Sequence, residues 1–522
     1  MSAHGTPPPE RFNFAQDIVA RNAARAGKAA YIDDAGTLSY GDLERRVRAA
    51  AGAYVALGIR REERVLLCLH DTVDFPVAFL GALYAGIVPV AVNTLLTPDD
   101  YAYMLAHSRA QALLVSGALL PVLLQAHARG GNEVKHVIVS RAGGALPEGA
   151  TDFAAWSGSA AAMARPADTA ADEPAFWLYS SGSTGRPKGT VHTHGNLHWT
   201  AELYGGPVLG LGDNDVVFSA AKLFFAYGLG NALTFPLAAG ATTILMAERA
   251  TPQAVCKRLV EHQPTIFCGV PTLYAAMLSS PELPARGNVA LRRCISAGEA
   301  LPRDVGERFA ARFGCEILDG IGSTEMLHIF LSNVPGKVRY GTTGKPVPGY
   351  DVELRGEDGS PVGVDAIGDL YIRGPSAALM YWADRARSRT TFQGEWTKSG
   401  DKYSCGADGY YTYAGRSDDM LRVSGQYVSP FEVEAALMRH EAVQEAAVVG
   451  KTGDDGLTRT LAYVVLKSGQ DGDATLVQAL QAFVKDQLAP HKYPREIRFL
   501  PELPKTATGK IQRFRLREAA AG

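Results

Sequence analysis

The stretch Ala175-Phe-Trp-Leu-Tyr-Ser-Ser-Gly-Ser-Thr-Gly-Arg-Pro-Lys-Gly189 joins a short apolar run to a loop of serine, threonine and glycine. The apolar run suits a buried strand. The loop offers backbone N–H groups, hydroxyl donors and the charge of Lys188, which together suit a polyphosphate. Its spacing is not the Walker A pattern, because the lysine follows proline. Taken alone, the loop is equally compatible with a flexible surface turn.

Helical and strand-like segments alternate on both sides of this stretch. A capping box at Ser39 opens an amphipathic helix, and apolar runs at 64–70 and 87–92 flank a second helical segment. This alternation predicts an α/β fold with parallel sheet. A second capping box, Ser429-Pro-Phe-Glu432, opens a smaller α+β region. The predicted domains are therefore residues 1–416 and 417–522.

Composition limits the classes of function. The 522 residues are 47% hydrophobic, and Lys plus Arg number 52 against 54 Asp plus Glu, so the net charge of -2 gives no general attraction for nucleic acid or anionic membrane. The six cysteines lack metal-site spacing, and the first residues lack a signal peptide pattern. These features predict free thiols and a cytoplasmic location. Composition and cysteine spacing do not determine the oligomeric state, and a homodimer is compatible with them.

A second loop strengthens the phosphate-site interpretation. Asp319-Gly-Ile-Gly-Ser-Thr-Glu325 follows another apolar run, and its glycines allow close approach of a ligand to the backbone. Thr324 offers a hydroxyl to a phosphate oxygen, and Glu325 offers a hard oxygen for Mg²⁺. A third candidate pairs Asp401 with Arg416, which could hold ribose hydroxyls but could also be an ordinary surface ion pair.

Together these segments resemble the adenylate-forming superfamily of acyl-CoA synthetases, luciferases and nonribosomal adenylation domains. The resemblance covers nearly the whole chain and rests on seven ordered segments, at 179–189, 222–229, 319–325, 368–375, 401, 415–425 and 504–510. It implies two sheet-bearing α/β lobes, a β-barrel-like lobe and a small mobile C-terminal domain. It also implies that a carboxylate reacts with ATP·Mg²⁺ to give an acyl-adenylate, which the thiol of coenzyme A converts to a thioester.

The same resemblance implies residue roles. Lys510, Thr324, Glu325 and Lys188 would be catalytic, with Glu325 the metal ligand and Asp418 the hinge. The nucleotide would contact Ser180, Ser181, Gly182, Ser183, Thr184, Gly185, Lys188, Gly298, Glu299, Ala300, Asp319, Gly320, Ile321, Gly322, Thr324, Asp401, Arg416 and Lys510. The acid would contact Phe225, Ala226, Tyr227, Ala297, Gly322, His328, Ile329 and Lys510, and coenzyme A would contact Ser424 and Gly425. Ile321 and Phe225 depart from the aromatic and histidine residues that are frequent in the family.

The acid-contacting set is small, apolar and aromatic, which suits a short flat acid better than a long alkyl chain. The segments around Lys188 and His328 resemble benzoate–CoA ligases, so benzoate or a simply substituted benzoate is the predicted acid. His328 could orient the carboxylate or be structural. Three alternatives stay open: an aryl adenylation enzyme that loads a carrier protein, a medium-chain fatty acyl-CoA synthetase, and a nucleotide-binding sensor without turnover.

Overall fold

The computed structural model describes residues 5–180, 186–417, 419–423, 426–452, 458–470, 472–488, 492–505 and 511–521. The chain divides into two compact units: Met1–Val352 with Tyr371–Ser399, and Glu353–Leu370 with Gly400–Gly522. The division of the chain at residue 416 into a large domain and a mobile domain stays a prediction.

The described residues form the following regular elements. The strands are β1 (Ala29–Asp33), β2 (Gly36–Ser39), β3 (Arg64–Cys68), β4 (Val88–Ala91), β5 (Ala110–Ser116), β6 (His136–Ser140), β7 (Ala150–Asp152), β8 (Pro174–Ser180), β9 (Lys188–Thr193), β10 (Val216–Ser219), β11 (Thr242–Ile244), β12 (Ile266–Gly269), β13 (Arg293–Ser296), β14 (Ile317–Gly322), β15 (Ile329–Ser332), β16 (Lys345–Pro346), β17 (Asp351–Arg355), β18 (Gly368–Arg373), β19 (Met380–Tyr381), β20 (Phe392–Gln393), β21 (Trp396–Cys405), β22 (Tyr411–Arg416), β23 (Leu421–Val423), β24 (Gln426–Val428), β25 (Val443–Thr452), β26 (Thr458–Leu466) and β27 (Glu496–Phe499). The α-helices are α1 (Phe14–Arg21), α2 (Tyr40–Ala56), α3 (Asp74–Tyr84), α4 (Pro98–Ser108), α5 (Leu120–His127), α6 (Phe153–Ser157), α7 (His194–Thr200), α8 (Ala226–Leu229), α9 (Phe235–Ala239), α10 (Pro252–His262), α11 (Pro271–Leu278), α12 (Arg303–Phe313), α13 (Arg385–Thr391), α14 (Pro430–Leu437), α15 (Ala474–Gln487) and α16 (Arg513–Ala521).

One sheet of the first unit carries the serine/glycine-rich loop. Its order is β19-β9-β8-β4-β3-β5-β6-β7, and β4, β3, β5, β6 and β7 run parallel. Strand β8 is parallel to β4 and antiparallel to β9, so the loop joins two neighbouring strands. The loop's two ends are thereby fixed at one place on the sheet.

A second sheet of the first unit carries the threonine–glutamate loop. Its order is β16-β15-β14-β13-β12-β10-β11-β1-β2, with a parallel centre from β14 to β1 and antiparallel edges. Buried aliphatic and aromatic side chains pack the helices onto both sheets. The α/β prediction is confirmed.

The remaining strands form smaller sheets. Five strands join in the order β17-β18-β21-β20, with β22 on β21. Near the C-terminus, β25-β26-β27 form a three-stranded sheet packed by α14, whose cap is Ser429 Oγ accepting from Glu432 N at 3.2 Å. The Ser429 half of the predicted capping box is therefore present, whereas the Glu432 carboxylate accepts from Lys492 Nζ at 2.8 and 2.6 Å. The helix opens an α+β region as expected.

Candidate active site

Four side chains from both loops and an edge strand form one polar cluster. Lys188 Nζ lies 3.5 Å from Glu325 Oε1, and both side chains are largely buried. Ser180 Oγ donates to the same oxygen at 3.2 Å, and Tyr381 OH donates to it at 2.7 Å. Lys188 Nζ donates to Tyr381 OH at 3.1 Å. The structure therefore brings together Ser180, Lys188 and Glu325, which the sequence predicts to share a site.

The cluster sets the charge of Glu325. Burial opposes ionisation of its carboxyl, but the positive charge of Lys188 and hydrogen bonds from Tyr381 and Ser180 hold its pKa below the usual value. The carboxylate is therefore ionised at neutral pH. An ionised oxygen ligand beside a lysine suits Mg²⁺ and phosphate, because the metal requires oxygen donors and the phosphate a cation.

A buried histidine fixes the backbone at Thr324. His192 Nε2 donates to the Thr324 carbonyl at 2.7 Å, and Asn196 Nδ2 donates to His192 Nδ1 at 2.8 Å. These bonds fit one neutral tautomer, and burial lowers the His192 pKa to about 4. Strand β9 thus holds the threonine–glutamate loop in place from the neighbouring sheet.

Helix α4 holds both ends of the serine/glycine-rich loop. His107 Nδ1 lies 2.9 Å from the Tyr179 hydroxyl, just before the loop. Tyr103 OH donates to the Pro187 carbonyl at 3.2 Å, just after it. The predicted phosphate contacts Ser181, Gly182, Ser183, Thr184 and Gly185 lie outside the described residues.

The ends of β13 and β14 carry the predicted adenine contacts. Ser296 and Asp319 are register partners, so Ala297 to Ala300, which follow the end of β13, lie next to Gly320 within β14. Gly298 has φ +93°, a conformation that favours glycine. Asp319 is buried, and burial raises its pKa well above its usual range. Strand β14 also carries Ile321 and Gly322, both partly buried.

The predicted acid contacts converge on a buried aromatic group around His328. Rings of Tyr227, Tyr204 and Phe235 lie 5.7, 5.2 and 4.5 Å from its imidazole. Burial lowers the His328 pKa to about 3, and its ring nitrogens lack well-formed hydrogen bonds among the described residues. A Cβ on Gly230 would meet this ring at 2.4 Å, so the imidazole requires glycine there. Ala297 and Ile329 are also buried, whereas Ala226 is partly exposed and Phe225 more so.

A buried carboxylate anchors the segment that carries Phe225, Ala226 and Tyr227. Both Asp71 carboxylate oxygens accept from Leu223 N, at 3.2 and 3.3 Å. Lys222 Nζ donates to the carbonyl oxygens of Met246 and, at 2.7 Å, Glu248. Burial raises the Asp71 pKa to about 6 despite the positive charge of Lys222. The segment is therefore held from two sides at its start.

The second unit contains the predicted ribose pair. Asp401 and Arg416 are register partners on β21 and β22, and Arg416 Nη1 lies 3.1 Å from Asp401 Oδ1. Further on, Arg513 Nη2 donates to both oxygens of buried Glu434, at 2.8 and 2.7 Å. Other predicted residues lie outside the described ranges, namely Asp418, Ser424, Gly425 and Lys510.

Comparison with protein families accounts for these features together. The model of the AMP-binding enzyme family matches residues 19–382, and that of the AMP-binding enzyme C-terminal domain matches residues 432–510. The chain belongs to the AMP-binding enzyme family. The family identified from the sequence motifs is thereby confirmed.

Three members of this family illustrate the similarity. A benzoate–CoA ligase of Thauera aromatica is 56% identical, with 98% of each chain covered. A crystal structure of a benzoate CoA ligase from Burkholderia xenovorans LB400 superposes with a TM-score of 0.91 at 61% identity, covering 97% of this chain and all of that one. The anthranilate CoA ligase AuaEII in complex with anthranoyl-AMP gives 0.92 at 40% identity, with 98% of each chain covered.

The donor set of this AMP-binding enzyme fits a metal that travels with its nucleotide. Among the described residues, no group of three or more His, Cys, Asp or Glu side chains could hold a metal ion by itself. Glu325 is one ionised ligand, and Mg²⁺ typically takes one or two carboxylates together with phosphate oxygens and waters. Likewise, no helix of the described chain is both long and apolar enough to cross a membrane.

Sequence motifs miss three residues of this site. Tyr381 lies on a two-residue edge strand, which has no periodicity to indicate it. His192 and Asp71 belong to buried strand and loop segments, where a polar side chain has no motif around it. Their hydrogen-bond partners all come from other elements. For His192 and Asp71, the one sequence signal is a polar residue in or beside an apolar run, where it is costly to bury.

Proposed function

We propose that this enzyme is an AMP-forming acid–thiol ligase that converts benzoate, or a simply substituted benzoate, and coenzyme A to the CoA thioester, AMP and pyrophosphate. The observation that carries the proposal is the Lys188–Glu325 cluster in the same unit as the aromatic group around His328. The charged cluster suits a nucleoside triphosphate with its metal, and the aromatic group suits one aromatic ring. Benzoate–CoA ligases match the whole chain.

In this proposal the residues of the chain bind and orient the reactants. Lys188 and the serine/glycine-rich loop hold the β and γ phosphates, and Thr324 holds the α phosphate. Glu325 holds Mg²⁺, which when bound neutralises charge on the phosphates. Lys510 bridges the acid's carboxylate and the α phosphate, and Asp401 and Arg416 hold the ribose. The carboxylate oxygen attacks the α phosphorus and pyrophosphate leaves; the thiol sulfur then attacks the acyl carbon and AMP leaves.

The neutral imidazole of His328 is assigned to the carboxylate of the acid. The backbone of Tyr227 also acts on this imidazole, but neither ring nitrogen makes a well-formed hydrogen bond among the described residues. We therefore assign the single N–H of the neutral ring to a ligand, because an unpaired buried donor is costly. Because its pKa is about 3, this N–H donates as a neutral group across the physiological range. The ring of the acid then packs against aromatic and small residues, including Tyr227 and Ala226.

Pyrophosphate exchange tests the proposed function. Purified protein is incubated with ATP, Mg²⁺, labelled pyrophosphate and either benzoate, hexanoate or palmitate, with and without coenzyme A. The proposal expects benzoate-dependent exchange, and thioester formation only when free coenzyme A is added. Exchange without any thioester would indicate a carrier-loading adenylation enzyme, preference for hexanoate would indicate a fatty acyl-CoA synthetase, and ATP binding without exchange would indicate a sensor.

We also propose a cytoplasmic enzyme that assembles as a homodimer. All six cysteines are free thiols, five of them buried, which suits a reducing compartment. Light scattering coupled to size-exclusion chromatography would give the mass, which is 55.6 kDa for one chain. A value near that of a single chain would contradict the dimer.

A further inference from the structure

Tyr381 lies on the strand that pairs with the one carrying Lys188. Strand β19 runs antiparallel to β9, with Tyr381 opposite Thr190. The backbone is fixed on either side, because Leu379 N donates to Val191 O at 2.9 Å and Trp382 N donates to Gly189 O at 2.7 Å. The Tyr381 N–H in turn donates to Ser388 Oγ at 3.0 Å. With its backbone fixed and 3% of its surface exposed, the residue has little freedom to move.

The hydroxyl of Tyr381 bridges two opposite charges. It donates its proton to Glu325 Oε1 at 2.7 Å and accepts one from Lys188 Nζ at 3.1 Å. A phenol can do both at once, because it has one donor and two acceptor lone pairs. Lys188 Nζ also lies over the Tyr381 ring, 4.4 Å from its centroid. The tyrosine therefore fixes both the cation and the carboxylate.

Within the described part of the chain, the side chains that contact Glu325 approach one of its oxygens. Ser180, Tyr381 and Lys188 all approach Oε1, at 3.2, 2.7 and 3.5 Å. Hydrogen bonds to an ionised acceptor are strong and directional, so they fix the plane of the carboxylate. With Oε1 engaged in this way, Oε2 is the oxygen that the carboxylate can offer to a metal ion. At 3.5 Å from Oε1, Lys188 Nζ is too far from Glu325 for a close ion pair.

We propose that Tyr381 is a positioning residue for Mg·ATP, which rests on the proposed function. Its hydroxyl orients Glu325, so that Oε2 would be available to the metal. It also holds Lys188 where a phosphate oxygen could replace the hydroxyl as the partner of the ammonium group. Without the hydroxyl, Lys188 and Glu325 are free to pair directly, and each then partly neutralises the charge that the other needs for its ligand. Loss of one such charge-assisted bond weakens binding by about tenfold or more.

Binding measured without turnover tests this role. Tyr381→Phe keeps the ring over Lys188 and removes the hydroxyl alone. We expect the Kd for Mn²⁺·ATP, measured by calorimetry and by the electron paramagnetic resonance signal of free Mn²⁺, to rise at least tenfold. The loss should be smaller for ATP in EDTA, where Glu325 has no metal to bind. Tyr54→Phe is the matched control, because its buried hydroxyl donates to Ala78 O at 3.2 Å and contacts neither charge.

A double-mutant cycle tests whether Tyr381 acts on Mn²⁺·ATP binding through Glu325. In a Glu325→Gln background, Tyr381→Phe should change the Kd for Mn²⁺·ATP by less than threefold, because the oriented carboxylate is already lost. Wild-type affinity in Tyr381→Phe, an equal loss in Tyr54→Phe, or fully additive effects would each overturn the inference alone. If the wild-type protein bound no Mn²⁺·ATP, both this inference and the proposed function would be wrong.

Discussion

Lys188 and Glu325 are far apart in the sequence, yet their charged atoms lie 3.5 Å apart. Their residue types and neighbouring glycines made both predictable: Glu325 lies in a loop that follows β14, and Lys188 begins β9 directly after the serine/glycine-rich loop. Tyr381, which contacts both, has no such surroundings and emerges only from the pairing of β19 with β9. At the scale of residues, sequence motifs predict the groups that touch substrates better than the groups that hold them.

Ala226 limits the space beside the predicted acid. It is partly exposed at the start of α8, between exposed Phe225 and the half-buried Tyr227. Ala226→Leu adds three carbon atoms there, and overfilling a packed site costs about 1–3 kcal/mol. We expect kcat/KM for benzoate to fall by about ten- to a hundredfold while the KM for ATP stays within twofold. Unchanged benzoate turnover would contradict the assignment of this segment to the acid.

Lys510 should serve adenylation and not thioester formation. Removing a group that stabilises charge in the transition state costs about 10² to 10³ in rate. Lys510→Ala should therefore lose that much benzoate-dependent pyrophosphate exchange and still convert supplied benzoyl-adenylate to thioester. Lys505→Ala is the control, because the Lys505 Nζ lies 2.6 Å from Glu445 in the same region. Equal loss of both half-reactions in Lys510→Ala would exclude the specific role.

At the scale of elements, the strands, helices and capping boxes follow from local pattern. The α/β alternation and the serine N-caps at Ser39 and Ser429 are predictable, because apolar period and cap chemistry act over a few residues. Strand order is not predictable in this way. The neighbours of β1, for example, are β2 and β11, which are separated by about 200 residues of chain. Contacts such as His192 with Thr324 depend on that order and escape any local analysis.

The anchor of the aromatic-glycine segment should make stability depend on pH. Burial raises the Asp71 pKa from 3.8 to about 6, so the folded protein binds more protons than the unfolded chain between these values. Its contribution to stability is therefore fully present below pH 3.8 and is lost as the pH rises through 6. Asp71→Asn cannot ionise and keeps one oxygen to accept from Leu223 N.

Relative to wild type, the free energy of unfolding of Asp71→Asn should increase by about 2 to 3 kcal/mol between pH 4 and pH 7 and then level off. Urea unfolding of both proteins at pH 4.5, 5.5, 6.5 and 7.5 measures this difference. A stability difference that is constant across these pH values, or that shrinks as the pH rises, would contradict a raised pKa for the buried carboxyl group of Asp71.

At the scale of the whole molecule, each of the two compact units contains its own ion pairs. The first unit contains the Lys188–Glu325 cluster and the aromatic group around His328, whereas the second contains the Asp401–Arg416 pair and the Glu434–Arg513 pair. Buried Glu434 accepts from Arg513, three residues after Lys510, and so fixes the chain beyond that lysine.

Two half-reactions with different chemical needs call for different residues at one site. Lys510 is assigned to adenylation, and Ser424 and Gly425 are assigned to coenzyme A, although all three follow Asp418 in the chain. Serving them in sequence requires rotation about a few backbone torsions, as in a hinge. On either side of Asp418, Ser417 N donates to Gly400 O at 2.9 Å and Asp419 N donates to Arg416 O at 3.1 Å.

Asp418→Pro fixes one torsion at residue 418 and restricts residue 417, while it leaves both of these flanking N–H groups intact. We expect pyrophosphate exchange to stay within about threefold of wild type and thioester formation from benzoyl-adenylate to fall by at least 10², the scale of loss when a catalytic group is misplaced. Asp418→Ala is the matched control, since it removes the carboxylate and leaves the torsion free, and it should retain both half-reactions. If the proline variant formed thioester at the wild-type rate, rotation at this residue would play no part in the reaction; if the alanine variant lost it equally, the carboxylate and not the torsion would be the required feature.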